Sequence, residues 1–124
     1  MTAPYDSSNI FAKILKGDIP CKKVLETPYA LAFEDLYPKA PIHVLIIPKG
    51  PYVSFSDFSQ NASPAEIVGF FKSVGDVAKK LGLEESGYRI LSNSGTDAHQ
   101  EVPHFHIHLV GGKSLGPLLA TRHE

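Results

Sequence analysis

The chain has 124 residues, of which 43% are hydrophobic and 20% charged, with a formal net charge of −1. That length suits one compact domain with a real hydrophobic core, read here as a single domain over residues 1–124. The near-zero charge argues against broad binding to nucleic acid or anionic membrane, which select strongly basic surfaces, and the lone Cys21 excludes an internal disulfide framework.

The N-terminal stretch has no basic region followed by an apolar run, and no apolar run approaches a membrane span, so a cytoplasmic location is the expectation. Ser7 and Ser8 precede Ile10, Phe11, Ile14 and Leu15, spaced along one helical face, and Gly17 follows. This predicts a short helix capped by serine and stopped by glycine. Lys22–Glu26 and Ala30–Glu34, separated by Thr27-Pro28, read as a β-hairpin. After the proline-rich stretch from Asp35 to Pro41, Ile42–Ile47 is the strongest strand signal; it barely alternates and should be buried on both faces.

Ser63-Pro64-Ala65-Glu66 opens the clearest helix, with a capping box and proline at the first helical position. Ile67, Phe70, Phe71, Val74, Val77, Ala78 and Leu81 form its buried stripe, and Gly82 ends it. Gly87–Ser94 and His104–Val110 are the last two predicted strands, joined by the polar loop from Asn93 to Glu101. The order helix, three strands, helix, two strands predicts an α+β domain with a mostly antiparallel sheet.

Within the last strand, Pro103-His104-Phe105-His106-Ile107-His108-Leu109-Val110 places three of the six histidines at alternate positions. On a strand these share one face, while Phe105, Ile107 and Leu109 turn to the core. One reading makes the histidines merely the polar half of an amphipathic strand. A metal site is a second, but the outer pair would lie roughly 13 Å apart along the strand, so zinc would need a further ligand such as His43, His99 or a carboxylate. A third reading is catalytic: neutral imidazole is plentiful near pH 7 and attacks phosphorus well once its other nitrogen is pinned. The middle ring, His106, is then the nucleophile.

The segment His104–Val110 resembles the signature of the histidine-triad family, His-φ-His-φ-His-φ-φ with φ apolar, at every position. The resemblance spans most of the chain: Asn9–Ile14, Leu31–His43, Leu45–Lys49, Tyr88–Ile90 with Asn93, and Gly111-Gly112 all have counterparts. It implies a five-stranded, mostly antiparallel sheet with two helices, paired into a ten-stranded sheet in a homodimer. It further implies a hydrolase or transferase that binds a purine nucleoside monophosphate and cleaves its phosphoramidate or acyl derivatives at the α-phosphorus.

On that resemblance, His106 would form a nucleotidyl-histidine intermediate, the carbonyl of His104 would orient it, His108 would contact the phosphate, and His43 would support the cluster. Asp35 would hydrogen-bond the ribose hydroxyls; Ile10, Phe11, Ile14, Phe33 and Leu36 would hold the purine. Asn93 would sit near the scissile group. Glu101 stands where many phosphoramidases carry serine; its side chain is expected to turn away, leaving a backbone N–H for the phosphate, with Gln100 and Val102 nearby. Asn93 and Gly111-Gly112 resemble the phosphoramidase branch, whereas dinucleoside polyphosphate hydrolases carry glutamine at the former position. The tail Leu115–Ala120 would influence the leaving group.

No cofactor and no metal is expected. Asn9 and Ala12 replace the cysteines that hold zinc in some bacterial members. The competing readings are a nucleotide-binding regulatory or scaffold protein with incidental hydrolysis, a dinucleoside polyphosphate hydrolase, and a metal-dependent hydrolase.

Overall fold

The computed structural model describes residues 4–119; Ala120, the last residue of the tail singled out above, lies outside them. The elements run α1 (Ile10–Lys16), β1 (Lys23–Thr27), β2 (Ala30–Glu34), β3 (Ile42–Pro48), α2 (Phe55–Asn61), α3 (Pro64–Lys80), β4 (Tyr88–Leu91) and β5 (Ile107–Gly111). The strands form one sheet in the order β1-β2-β3-β5-β4, and every neighbouring pair is antiparallel. The α+β class and the five antiparallel strands agree with expectation; the helices number three among the described residues, not two.

The additional helix is α2. It has seven residues, capped by the Ser54 hydroxyl, and buries only Phe58. A single buried side chain in two turns leaves no periodicity to read. The cap of α1 also differs from expectation. Asn9, not Ser7 or Ser8, accepts from the Ala12 N–H at 2.9 Å, because the Ser8 hydroxyl is drawn to the Asp6 carboxylate at 2.6 Å. Gly17 closes α1 in the left-handed conformation, φ 84°, which glycine adopts without strain. For α3, the Ser63–Glu66 capping box is present as the sequence predicts.

Side chains on β2 and β3 alternate between two cores. Ala30, Ala32, Val44 and Ile46 join Phe70, Val74 and Val77 of α3, with Phe105, Ile107 and Leu109, on one face. Leu31, Phe33, Leu45 and Ile47 meet Phe11 of α1 on the other. Burying each of the larger side chains here is worth about 1.5–3 kcal/mol, so β3, covered on both sides, anchors the fold. The approach of the β1–β2 turn to α3 depends on Gly69: a Cβ there would lie 2.2 Å from the Tyr29 ring.

The last strand is shorter than predicted. His104, Phe105 and His106 lie before β5 begins at Ile107, and the preceding strand ends at Leu91. Alternation nevertheless persists through the non-strand residues, since Phe105, Ile107 and Leu109 all enter the α3 core. No helix among the described residues is long and apolar enough to cross a membrane.

Candidate functional site

The sheet face carrying α1 assembles the site by register. Phe33 lies opposite Leu45, and Leu45 opposite His108. His43 is two residues before Leu45, so it shares that face with His108 one diagonal step away. Asp35 continues the same face beyond the end of β2, where its N–H bonds the His43 carbonyl at 3.0 Å. Three adjacent strands thus bring Asp35, His43 and His108 together from a distance of 73 positions in the chain.

Hydrogen bonds assign one tautomer to each histidine. The Lys39 N–H donates to His43 Nδ1 at 3.0 Å, so the His43 proton sits on Nε2 and donates to His108 Nδ1 at 2.9 Å. His108 therefore carries its own proton on Nε2. His106 Nδ1–H donates to the His104 carbonyl at 2.7 Å, which leaves Nε2 with a free lone pair. His104 Nε2–H donates to the Pro48 carbonyl at 3.0 Å, and Tyr5 donates to its Nδ1 at 2.7 Å.

All four rings favour the neutral form. Burial, the leading cause throughout, pushes His104 and His108 down to about 4 and lowers His106 and His43 below the usual imidazole value. Among the described residues no buried side-chain nitrogen or oxygen lacks a partner. The unpartnered Nε2 atoms of His106 and His108 must accordingly be open to the adjoining cleft, which both residues line. Phe11 braces His106 edge-on, its ring centre 5.0 Å away.

That cleft has a volume of about 340 Å³, within the range of small-molecule sites. Its lining combines the apolar side chains of Ile10, Phe11, Ile14, Phe33 and Leu45 with the polar groups of Asp35, Asn93, His106 and His108. Apolar walls together with a carboxylate and a free imidazole lone pair suit a ligand that combines a flat ring, a polyol and an electrophile.

The HIT domain family profile matches residues 16–115. An uncharacterized HIT-like protein of Azospirillum brasilense is 60% identical over 119 residues, covering 96% of this chain and 98% of that protein. The chain belongs to the HIT family. The purine nucleoside phosphoramidase of Escherichia coli K12 is 39% identical over 114 residues, covering 91% of this HIT chain and 94% of that enzyme. Among solved structures, a HIT family hydrolase from Clostridium thermocellum superposes with a TM-score of 0.84 at 35% identity, covering 93% of this chain and 99% of that one.

Every residue singled out from sequence for this HIT site lines the cleft except His104 and His43. His104 is fully buried behind His106, with both ring nitrogens engaged, and His43 reaches the site through His108 and Asp35. Leu36 stands at the mouth and is 79% exposed, so it cannot be a buried wall of the slot. Gln100 differs more: its amide is spent within the protein, accepting from Gly95 N–H and donating to the Val53 and Val102 carbonyls. It clamps the loop instead of standing ready for a phosphate. Glu101 is exposed yet still borders the cleft, where its charge counters part of the lowering of the His106 pKa.

Sequence reasoning did not assign Ile19, Pro20, Cys21, Lys22, Glu34, Tyr37 and Leu45 to the cleft of this HIT protein, and named His99, which also lines it, only as a possible metal ligand. Ile19–Lys22 belong to the turn between α1 and β1, which has no periodicity. His99 adopts φ 59°, an uncommon left-handed conformation for a non-glycine residue, in the loop over the mouth.

Asp35, His43 and His108 also offer three donor atoms within 4.8 Å of one another, close enough for one cation. Their protonation opposes it. A metal would need the His43 Nε2 lone pair, which would move the proton to Nδ1 and set it against the Lys39 N–H.

Proposed function

We propose that this HIT protein is a nucleotide hydrolase and transferase acting on purine nucleoside 5′-phosphoramidates or acyl-nucleotides, with the nucleotidyl group carried on His106. The observation that carries this reading is the state of His106: a neutral ring, Nδ1 pinned by a main-chain carbonyl, Nε2 free in the cleft. That lone pair attacks the α-phosphorus and the phosphorus–nitrogen or phosphorus–oxygen bond breaks; an amine leaving group takes a proton from solvent, which the later hydrolysis returns, while a carboxylate leaves as the anion. Water then cleaves the phosphorus–histidine bond, releasing the nucleoside monophosphate and restoring His106.

His108 Nε2–H donates to a phosphoryl oxygen as charge builds there. Asp35, whose Oδ1 accepts from the Tyr37 N–H at 2.8 Å, has acceptor capacity left for the two ribose hydroxyls. The apolar walls stack the purine. Asn93 borders the scissile bond, and near Glu101 and Val102 backbone N–H groups meet the phosphate. The name of the Escherichia coli relative, purine nucleoside phosphoramidase, supports the choice of leaving group. No step needs a metal. We further propose that two copies pair along the outer edge of β4 into a ten-stranded sheet, and that the protein works in the cytoplasm.

The test is hydrolysis of adenosine 5′-phosphoramidate by chelator-treated protein. Wild type should turn over, whereas His106→Ala should lose on the order of 10³-fold or more of kcat yet still bind AMP by calorimetry. Equal turnover by the two proteins would sink the mechanism. Activity abolished by chelation and restored by zinc would instead favour a metal-dependent hydrolase.

A further inference from the structure

We propose that the hydroxyl groups of Tyr5 and Ser92, both outside the cleft, are positioning residues that brace the peptide carrying His106. This rests on the reading of His106 as the reacting residue. That residue does not sit on a strand: β5 begins at Ile107, and β4 stops at Leu91, opposite His108. Just where the antiparallel ladder runs out, Ser92 Oγ–H donates to the His106 carbonyl at 2.8 Å. The hydroxyl takes the place of the next main-chain donor and fixes the downstream end of the His106 residue.

The upstream end is fixed through His104. Its ring is fully buried and held at both nitrogens, by Tyr5 O–H at 2.7 Å and by the Pro48 carbonyl at 3.0 Å. A ring tethered on two sides cannot rotate, so the carbonyl of the same residue keeps its aim at His106 Nδ1, 2.7 Å away. Without Tyr5 O–H, His104 Nδ1 becomes a buried acceptor with no donor. The ring then gains by changing tautomer or tilting, and the carbonyl moves with it. Since neither Tyr5 nor Ser92 lines the cleft, loss of either hydroxyl disturbs the direction of the His106 lone pair and no substrate contact.

The consequence is a split between kinetic constants. Tyr5→Phe and Ser92→Ala should each lower kcat ~2- to 12-fold, the worth of one net hydrogen bond, with KM and the AMP dissociation constant unchanged. Ser92→Thr keeps a hydroxyl and should recover most of what Ser92→Ala loses. Independently of turnover, ¹⁵N-edited NMR of the imidazole nitrogens should show His106 protonated at Nδ1 alone in wild type and as a mixture of tautomers in the Tyr5→Phe/Ser92→Ala double variant.

Folded single variants with unchanged kcat would overturn the inference while leaving the hydrolase reading intact. A rise in KM at constant kcat would also overturn it, because the two residues would then serve binding. Should wild type itself fail to hydrolyse the phosphoramidate, the proposed function fails, and the NMR comparison still decides the brace: one unchanged His106 tautomer in the double variant rejects it.

Discussion

His108 owes its chemistry to a backbone group that it never touches. The Lys39 N–H claims His43 Nδ1, His43 passes its Nε2 proton toward His108 Nδ1, and His108 is left with a donor facing the cleft. Asp35 Oδ2 stands 3.4 Å from the same His43 nitrogen and favours keeping the proton there. His43→Ala removes the middle link, so His108 can turn its lone pair instead of its proton to the phosphoryl group. Steady-state kinetics on adenosine 5′-phosphoramidate should then show kcat reduced about tenfold, the worth of one hydrogen bond that selects a tautomer. A variant as fast as wild type would show that His108 needs no such partner. The alternating histidines were plain in the sequence, as was His43 in a nearby strand. Their division of labour was not: besides Tyr5 and His43 themselves, the pinning groups are Lys39 N–H, the Pro48 carbonyl and the His104 carbonyl, and main-chain groups leave no mark on side-chain pattern.

Elements were legible in proportion to their length and burial. β3 announced itself by an unbroken apolar run, and α3 by its capping box and stripe, because each is decided by its own residues. α2 and the exact reach of β5 are decided by contacts elsewhere, the former by Phe58 stacking against Phe105, the latter by where β4 ends. The two edges of the sheet differ in a way that burial makes plain. β1 carries Lys23 and Glu26, paired with each other, and Glu26 also pairs with Lys49, charges that discourage another strand from adding on. β4 instead exposes Tyr88, Ile90 and Leu91 on a four-residue strand. Apolar exposure at an unpaired edge is the pattern expected of a strand covered by a second copy. Sedimentation velocity at micromolar concentration should find a dimer for wild type and a shift toward monomer for Ile90→Lys, and a monomeric wild type would refute the pairing along β4.

The whole molecule bears a cost for holding its histidines neutral, and that cost has a sign. In the unfolded chain an imidazole binds its proton near pH 6.5; in the fold, burial holds His104 and His108 down to about 4 and lowers His43 and His106 as well. Above about pH 6.5 both states are neutral and the histidines contribute no pH dependence. As pH falls from there toward 4, the unfolded chain takes up protons that the fold refuses, so stability declines across this window. Below about 4 the folded rings protonate too, and their part of the slope ends. Two carboxylates extend the decline at the acid end. Glu26, lowered to about 2 by hydrogen bonds from Lys23 and Lys49, and Glu66, lowered by the α3 capping box, stabilise the fold above their unfolded values and lose that effect as they protonate. Urea midpoints should therefore be level between about pH 7 and 8, fall by an amount worth several kcal/mol between about pH 6.5 and 4, and keep falling more gently below that. A midpoint that stays level from neutral pH down to about 5 would mean that the buried rings accept protons without unfolding, and the neutral tautomer chain assigned to the site would have to be abandoned with it.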